Sequence, residues 1–499
     1  MLRHFLRGIA VSLGLFAFAA ARAADPAEAP AAPALSLEQS VAQALAQNFT
    51  VRIQAFPIDQ ARAGVIIAQS TYDPVLGVSW QGEASKSPDI TALTPTTTAY
   101  PYVNTQTTTL SATQNIITGG QVSANYNVVR GDTFPVSTFI NPAYEGNISL
   151  SISQPLLQGA GTAYARAAID IAKYGVKLAN LNFKSVVLTL IYNVETAYYN
   201  LIFARQQFEV AKDAVTLAQQ LLDENNIKRR TGVLTDLDVV QAEAQVATAK
   251  SQLIGFKQAM ENAEDILLQA LGEREFKSGV GPVDFPPLPD TSNISFFYSY
   301  KLARDNGPSL AIVQTTIDQY KLDALRAKRN NLPQLSVNAG AGYNTLKGDY
   351  DSAASNAWNG PGYNWQAGVA LSFPWGLRNN KALYREAMDN MEAEQVTFDQ
   401  QDQNLMVQVR AAVRAVDANV EAVTAASQAS VLSQKQYELQ KARFDAGLAI
   451  SYDVVLAQNQ LETARVAELQ ARVNLRIAIA DLRMLEGTSL DAYHVNLKY

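Results

Sequence analysis

Two periodicities divide the chain. Long stretches place apolar residues every three to four positions, as helices do, and two regions alternate apolar and polar residues, as strands do. Ser36-Leu37-Glu38-Gln39 has the spacing of a capping box, so a helix is predicted to start there. Pro57 is expected to interrupt it, and a second helical run reaches Ser70. From Pro74 the period becomes two. Leu76, Val78 and Trp80 alternate with Gly77, Ser79 and Gln81. Val122, Ala124, Tyr126 and Val128 alternate with Ser123, Asn125 and Asn127, and Ile148, Leu150 and Ile152 with Ser149, Ser151 and Ser153. After Gly161 the helical period returns. Val176 to Thr231 contains neither Gly nor Pro, and Leu201, Ala204, Phe208, Ala211, Val215, Ala218 and Leu222 form a heptad seam. A second alternating region follows, with Leu335, Val337, Ala339, Ala341 and Tyr343, then Trp365, Ala367, Val369, Leu371 and Phe373. Leu377 to Ala446 is again free of Gly and Pro, enough for a helix of about 100 Å.

The strands are about ten residues long with one apolar and one small, polar face. Two architectures fit: a transmembrane barrel with its apolar face toward lipid, or a soluble sandwich with that face inward. Trp80, Trp358, Trp365 and Trp375 all fall in these regions, which suits an aromatic girdle. The first region, Pro74 to Gln154, is almost twice as long as the second, Pro333 to Trp375. Its excess holds a hairpin signal at Thr118-Gly119-Gly120. As an outer loop it leaves four wall strands per chain; inside the sheet it makes six. The loop is the preferred expectation.

The chain is a duplication. Thr231–Val240 (TGVLTDLDVV) returns as Ala446–Val455 (AGLAISYDVV), so Gly232 pairs with Gly447 and Asp238 with Asp453. Val194 and Ala197 pair with Val409 and Ala412 at the same offset of 215, and Ile58-Asp59-Gln60 with Ile317-Asp318-Gln319 at 259. Each copy of the stretch is a tight turn between two long helices. The first repeat is expected over residues 24–290, with helices 36–70, strands 74–156 and helices 162–271. The second is expected over 291–488, with helices 294–331, strands 333–375 and helices 377–486. A linker at 272–290, rich in proline, joins them. Residues 489–499 form a tail, either a short strand or a segment packed on the helices.

Composition narrows the chemistry. There is no cysteine, and of two histidines, His4 and His494, only the second lies outside the leader. Thiolate nucleophiles, disulfides and cysteine or histidine metal sites are thereby excluded or starved. No phosphate loop or nucleophile elbow occurs, and the glycine pair Gly159 and Gly161 lacks the third glycine of a dinucleotide loop, where Tyr164 stands. No catalytic residue, metal or cofactor is expected. Residues 1–23 read as a secretory signal peptide, with a basic start, an apolar run from Ile9 to Ala21 and Ala21-Arg22-Ala23 before the cut. The net charge of −6 becomes about −9 when Arg3, Arg7 and Arg22 leave with it, which argues against nucleic acid.

The duplicated plan, the stretch Ala197-Tyr198-Tyr199-Asn200-Leu201 and both glycine-to-Asp-Val-Val turns resemble the TolC family of outer-membrane efflux proteins. The resemblance spans residues 36–488. It implies an α+β membrane protein: a homotrimeric outer-membrane β-barrel continued by a long periplasmic α-helical coiled-coil tunnel in a Gram-negative cell. It implies an exit duct for small molecules or proteins, served by a periplasmic adaptor (membrane fusion) protein and an inner-membrane pump of RND or ABC type. The adaptor is expected at the turn tips, Gly232, Val233, Leu234 and Thr235 with Gly447, Leu448, Ala449 and Ile450. Asp238 and Asp453 match a pore-mouth aspartate of the family, while a second gate aspartate is replaced by Leu456. Both carboxylates also suit plain stabilisation of a helix N-terminus. The alternative function is a periplasmic coiled-coil scaffold without a barrel.

Overall fold

The computed structural model describes residues 35–86, 102–134, 139–232, 234–274, 280–283, 285–286 and 294–495. The predicted leader and the end of the tail, with Leu497 and Tyr499, lie outside these residues.

The capping box forms as predicted: Ser36 Oγ accepts from the Gln39 N–H, and the Gln39 amide oxygen from the Ser36 N–H, both at 3.2 Å. It starts α1 (Leu37–Gln47). The break comes at Asn48 and not at Pro57. The Asn48 side chain accepts from the Thr50 N–H at 2.8 Å and starts α2 (Phe49–Ser70), which carries Pro57 inside it. Pro57 costs one backbone bond, to the Ile53 carbonyl; Ile53 is on an exposed flank, where water can take the bond.

Six strands follow the two-residue period. They are β1 (Val75–Lys86), β2 (Tyr102–Asn115), β3 (Gln121–Phe134), β4 (Ala143–Pro155), β5 (Gln334–Lys347) and β6 (Gly362–Ser372). They form one antiparallel sheet in the order β1-β2-β3-β4-β5-β6. The expectation of four strands per chain is therefore corrected: the excess hairpin is β2–β3, and it lies within the sheet. Gly119, at φ +89°, makes its turn, and the Ile116 N–H closes it on Gly120 O at 2.8 Å. Threonine hides this strand from a hydrophobic pattern. Thr105, Thr107, Thr109, Ser111 and Thr113 are polar, yet threonine is β-branched and fits a pleated sheet.

Register makes the two faces continuous. One row runs Leu76, Ala112, Ala124, Leu150, Ala341, Trp365 across all six strands. The neighbouring row on the opposite face runs Gly77, Ser111, Asn125, Ser149, Gly342, Asn364. Leu76, Val78, Trp80, Leu110, Leu150, Ile152, Val337, Tyr343, Trp365, Val369 and Leu371 are exposed. Among the described residues no second sheet covers this apolar face, so the sandwich expectation is not met.

A short helix, α7 (Tyr350–Ser355), breaks the β5–β6 connection and was not anticipated. It lies on the apolar face at the end away from the long helices. Tyr126 donates to Ala354 O at 3.0 Å and stacks on Trp358 with centroids 6.4 Å apart. Gly146 makes this approach possible, since a Cβ there would sit 2.1 Å from Ala353 O.

The helices hang from the sheet as two hairpins of equal build. In the first, α3 (Thr162–Arg230) has 69 residues and α4 (Asp236–Leu271) has 36. The second has 68 in α8 (Arg378–Asp445) and 36 in α9 (Ser451–Glu486). Before it, α5 (Phe296–Asn306) and α6 (Pro308–Asn330) are separated at Gly307, and α10 (Ser489–Ala492) closes the described chain. α3 packs along both α4 and α9. Its buried seam shares Leu201, Ala204, Ala211 and Ala218 with the predicted heptad but continues through Ala214, Leu221 and Asn225, leaving Phe208, Val215 and Leu222 half-buried. One 18-residue stretch of α3 is apolar enough by composition to cross a membrane, but 61% of it is buried inside the chain. Val187, Ile191, Val194 and Tyr198 of α3 pack instead with Val41, Ala44 and Val473.

This core also pins the connections. Arg205 donates to Val280 O at 2.6 Å and Gly281 O at 2.7 Å and pairs with Glu264 at 3.1 Å, which holds the linker on α3. The tail packs on the helices. Tyr493 donates its hydroxyl to Glu195, a carboxylate only 3% exposed. Burial raises the Glu195 pKa, against the opposing effects of that hydrogen bond and of Arg483.

Candidate functional site: the paired helical tips

Each hairpin tip is made by a glycine in the left-handed region. Gly232 has φ +79° and Gly447 φ +71°, with open space where a Cβ would go, so conformation and not crowding selects glycine. In the first tip the Gly232 N–H reaches Arg229 O at 3.0 Å, and Arg229 bridges the turn to Asp236 at 3.1 Å. In the second the Leu448 N–H reaches Arg443 O at 2.8 Å.

The aspartates of the repeat then start the return helices. Asp238 Oδ2 accepts from the Thr235 N–H at 2.9 Å and from the Thr235 hydroxyl at 2.6 Å. The Thr235 hydroxyl is the largest cause of a pKa below the usual carboxylate value, and the Thr235 N–H adds to it. Asp453 has the same place in α9, but its partner is only the Ile450 N–H, at 3.4 Å. Ile450 stands where the first copy has Thr235 and has no hydroxyl to return. One tip thus has a complete capping box and the other half of one. The sequence left the aspartates two roles; the geometry supplies the capping one directly.

The eight tip positions divide into two groups. Gly232, Thr235, Gly447, Leu448 and Ile450 are exposed, whereas Leu234 and Ala449 turn inward against Leu221, Phe444 and Val454. Val233 lies outside the described residues. Sequence reasoning missed the apolar residues just above the turns. Leu237 and Val240 on α4 and Tyr452 on α9 are all exposed, as is Leu456, which the sequence reading noted only for the aspartate it replaces. Their signal was available: each is a large apolar residue in the first turns of a helix, where polar residues are the rule. It also missed what joins the tips. Lys228 sits 3.5 Å from the Phe444 ring centroid, and the wholly buried Asn225 bonds across to α9.

At the sheet, the four tryptophans are exposed but occupy different levels. Trp80 shares a register row with Thr108, Val128, Gly146 and Thr345, beneath α7 and Trp358. Trp365 lies in the row of Leu76 and Leu150, nearer the long helices, and Trp375 follows β6 at that end.

Known proteins share this plan. A family profile described as outer membrane efflux protein matches residues 129–273 and 299–488, more than half of the chain. Outer membrane protein TolC of Vibrio cholerae is 23% identical over 369 residues, which are 74% of this chain and 81% of that one. The solved outer-membrane channel OprN is similar with a TM-score of 0.70 at 18% identity, over 91% of this chain and 90% of that one. CusC, described with conformational changes accompanying transmembrane channel formation, is similar at 0.68 and 15% identity, over 90% and 91%.

Proposed function

The chain belongs to the outer membrane efflux protein family, and from that premise we propose that it is the exit duct of a tripartite efflux or secretion assembly. Three copies close one barrel in the outer membrane and one helical tunnel in the periplasm. A periplasmic adaptor engages the tips, and an inner-membrane pump of RND or ABC type loads the duct.

One observation carries the barrel: the sheet presents a continuous apolar face that, among the described residues, only α7 and Trp358 cover, at the end away from the long helices. Its eleven exposed large side chains would each gain about 1.5–3 kcal/mol on leaving water, on the order of 20 kcal/mol together. No hydrogen bond on the opposite face offsets so much, and patches of this kind are membrane or partner surfaces. A periplasmic scaffold would have to leave this face in water. For the adaptor, the support is the apolar collar of Leu237, Leu448, Ile450 and Tyr452 around turns that have room for another chain.

Two pairs of variants test the reading. Leu150→Arg and Val337→Arg place charge on the apolar face, at about 2–4 kcal/mol near the bilayer midplane. They should abolish heat-modifiable trimers in outer-membrane fractions, while Ser151→Arg and Asn338→Arg on the other face should not. Equal tolerance on both faces overturns the barrel. Leu237→Glu with Leu448→Glu should abolish export and adaptor cross-linking while trimer yield is kept; unimpaired export overturns the docking assignment.

A further inference from the structure

We infer that the wall of the assembled barrel has 18 strands, six from each chain, and that the β2–β3 hairpin gives it a wide, hydroxyl-lined lumen to which the hairpin itself adds no charge. The inference rests on the trimer proposed above.

The hairpin is integrated at every rung. β1 pairs with β2 from Val75↔Thr113 to Lys86↔Tyr102, β2 with β3 from Tyr102↔Phe134 to Asn115↔Gln121, and β3 with β4 from Gln121↔Ser153 to Gly131↔Ala143. Folding it outward would break the two ladders that flank it, β1–β2 and β3–β4, and expose their backbone groups. Toward the long helices its side chains follow the wall's polarity, with Leu110, Ala112, Val122 and Ala124 in the apolar rows and Thr109 and Ser111 in the polar ones, whereas at the far end Asn104, Gln106 and the Arg130–Asp132 pair stand on the apolar face.

The sheet's two edges then fit each other. β1 has 12 residues and β6 has 11. β1 runs away from the long helices and β6 runs back, so β6 of one copy meets β1 of the next antiparallel, as every other pair in the sheet is. An even number of strands per chain is what lets this alternation continue around a ring. Leu371 and Val369 on β6 would continue the apolar face into Leu76 and Val78 on the next copy's β1. Such pairing removes both open edges, which otherwise invite aggregation.

Barrel diameter grows roughly in proportion to strand number, so 18 strands make a lumen about half again as wide as 12, within the range that leaves an aqueous channel. The hairpin adds Thr105, Thr107, Thr109, Ser111 and Thr113 to that lining. Among the described strands, the charges on this face are Glu83 and Glu145. A wide surface of hydroxyls and amides hydrogen-bonds to water and exerts little charge selection. The barrel therefore suits bulky, hydrated cargo, and any selection by charge falls to the tips.

The test is alternation. Single cysteines at Thr107, Thr108, Thr109 and Leu110 in β2, and at Ser149, Leu150, Ser151 and Ile152 in β4, are treated in outer-membrane vesicles with a membrane-impermeant maleimide. No native cysteine interferes. Labelling at Thr107 and Thr109 should exceed that at Thr108 and Leu110 several-fold, as Ser149 and Ser151 should exceed Leu150 and Ile152. The native mass of the solubilised particle should correspond to three chains. Alternation in β4 but not in β2 overturns the 18-stranded wall and leaves the channel standing. Absence from both strands overturns the channel reading as well, and a chain count other than three overturns the number 18.

Discussion

Asn225 on α3 donates from Nδ2 to the Ser451 hydroxyl at the start of α9, at 2.8 Å, and to Asp238 O of α4, at 3.2 Å. Asn225 is wholly buried, so one side chain ties three helices together where the two tips meet. We predict that Asn225→Ala frees the first tip from the second, because it strips the buried donor from both acceptors, at about 1–3 kcal/mol. Limited trypsin digestion at Arg229, Arg230 and Arg443 should become faster, and single-channel conductance should rise. Ser451→Ala should do less, since the bond to Asp238 O remains. Unchanged proteolysis in Asn225→Ala would mean that apolar packing of Leu221, Phe444 and Val454 holds the tips alone.

The unequal caps predict opposite responses to two substitutions. Thr235→Ala removes the hydroxyl of the complete capping box and should destabilise the first hairpin by about 0.5–2 kcal/mol. Ile450→Thr supplies the missing hydroxyl of the second and should stabilise it by a comparable amount. Thermal unfolding of the purified protein checks both, and a loss of stability in Ile450→Thr would show that Ile450 is worth more as an apolar contact than as a cap. Because Asp238 titrates below its ordinary 3.8, its contribution is present above that pH and is lost as the pH falls through the lowered folded value. Thr235→Ala should therefore cost less in strong acid than at neutrality.

Glu195 has the opposite sign. Burial raises its pKa above the ordinary 4.5, so the fold favours the protonated acid. Its contribution to stability is fully present below pH 4.5 and declines as the pH rises through the raised folded value. Glu195→Gln keeps an acceptor for the Tyr493 hydroxyl and removes the charge. The melting temperatures of variant and wild type should agree near pH 4 and diverge toward pH 8, with the variant higher. A variant less stable at pH 8 would mean that the ionised carboxylate pairs productively with Arg483.

In the proposed trimer, Asp238 and Asp453 would put six carboxylates near the periplasmic mouth, where they should focus a negative potential and favour cations. Replacing both by alanine should shrink the reversal potential under a KCl gradient across a planar bilayer. The wild-type preference should fade with salt as the screening length drops from about 10 Å at 0.1 M to 3 Å at 1 M. An unchanged reversal potential would limit both aspartates to the capping role seen at Thr235 and Ile450. Leu456, an apolar residue one turn from Asp453, makes a change in selectivity the more direct expectation and a change in closed-state conductance the lesser one.

Much of this molecule is written in local pattern. The alternation of Leu335 to Tyr343, the run without Gly or Pro from Leu377 to Ala446, and the repeat of Gly232 and Asp238 at Gly447 and Asp453 are legible because period and turn chemistry depend on neighbours a few residues away. The two long hairpins, the tight tips and the capping residues could therefore be named from sequence. What required the tertiary structure depends on partners far along the chain. A threonine-rich hairpin belongs to the sheet because β2 pairs with β1 and β3 with β4, which in turn finds β5 at Ile148↔Tyr343. The apolar face of a strand reads alike in a sandwich and in a barrel, and only the uncovered sheet separates them. Asn225 aligns with Gln440 in the other repeat and Ser451 with Asp236, so the duplication carries no trace of the bond between them. Glu195 meets Tyr493 across 298 positions. Burial of a polar group is a property of the whole packing, and sequence spacing has no term for it.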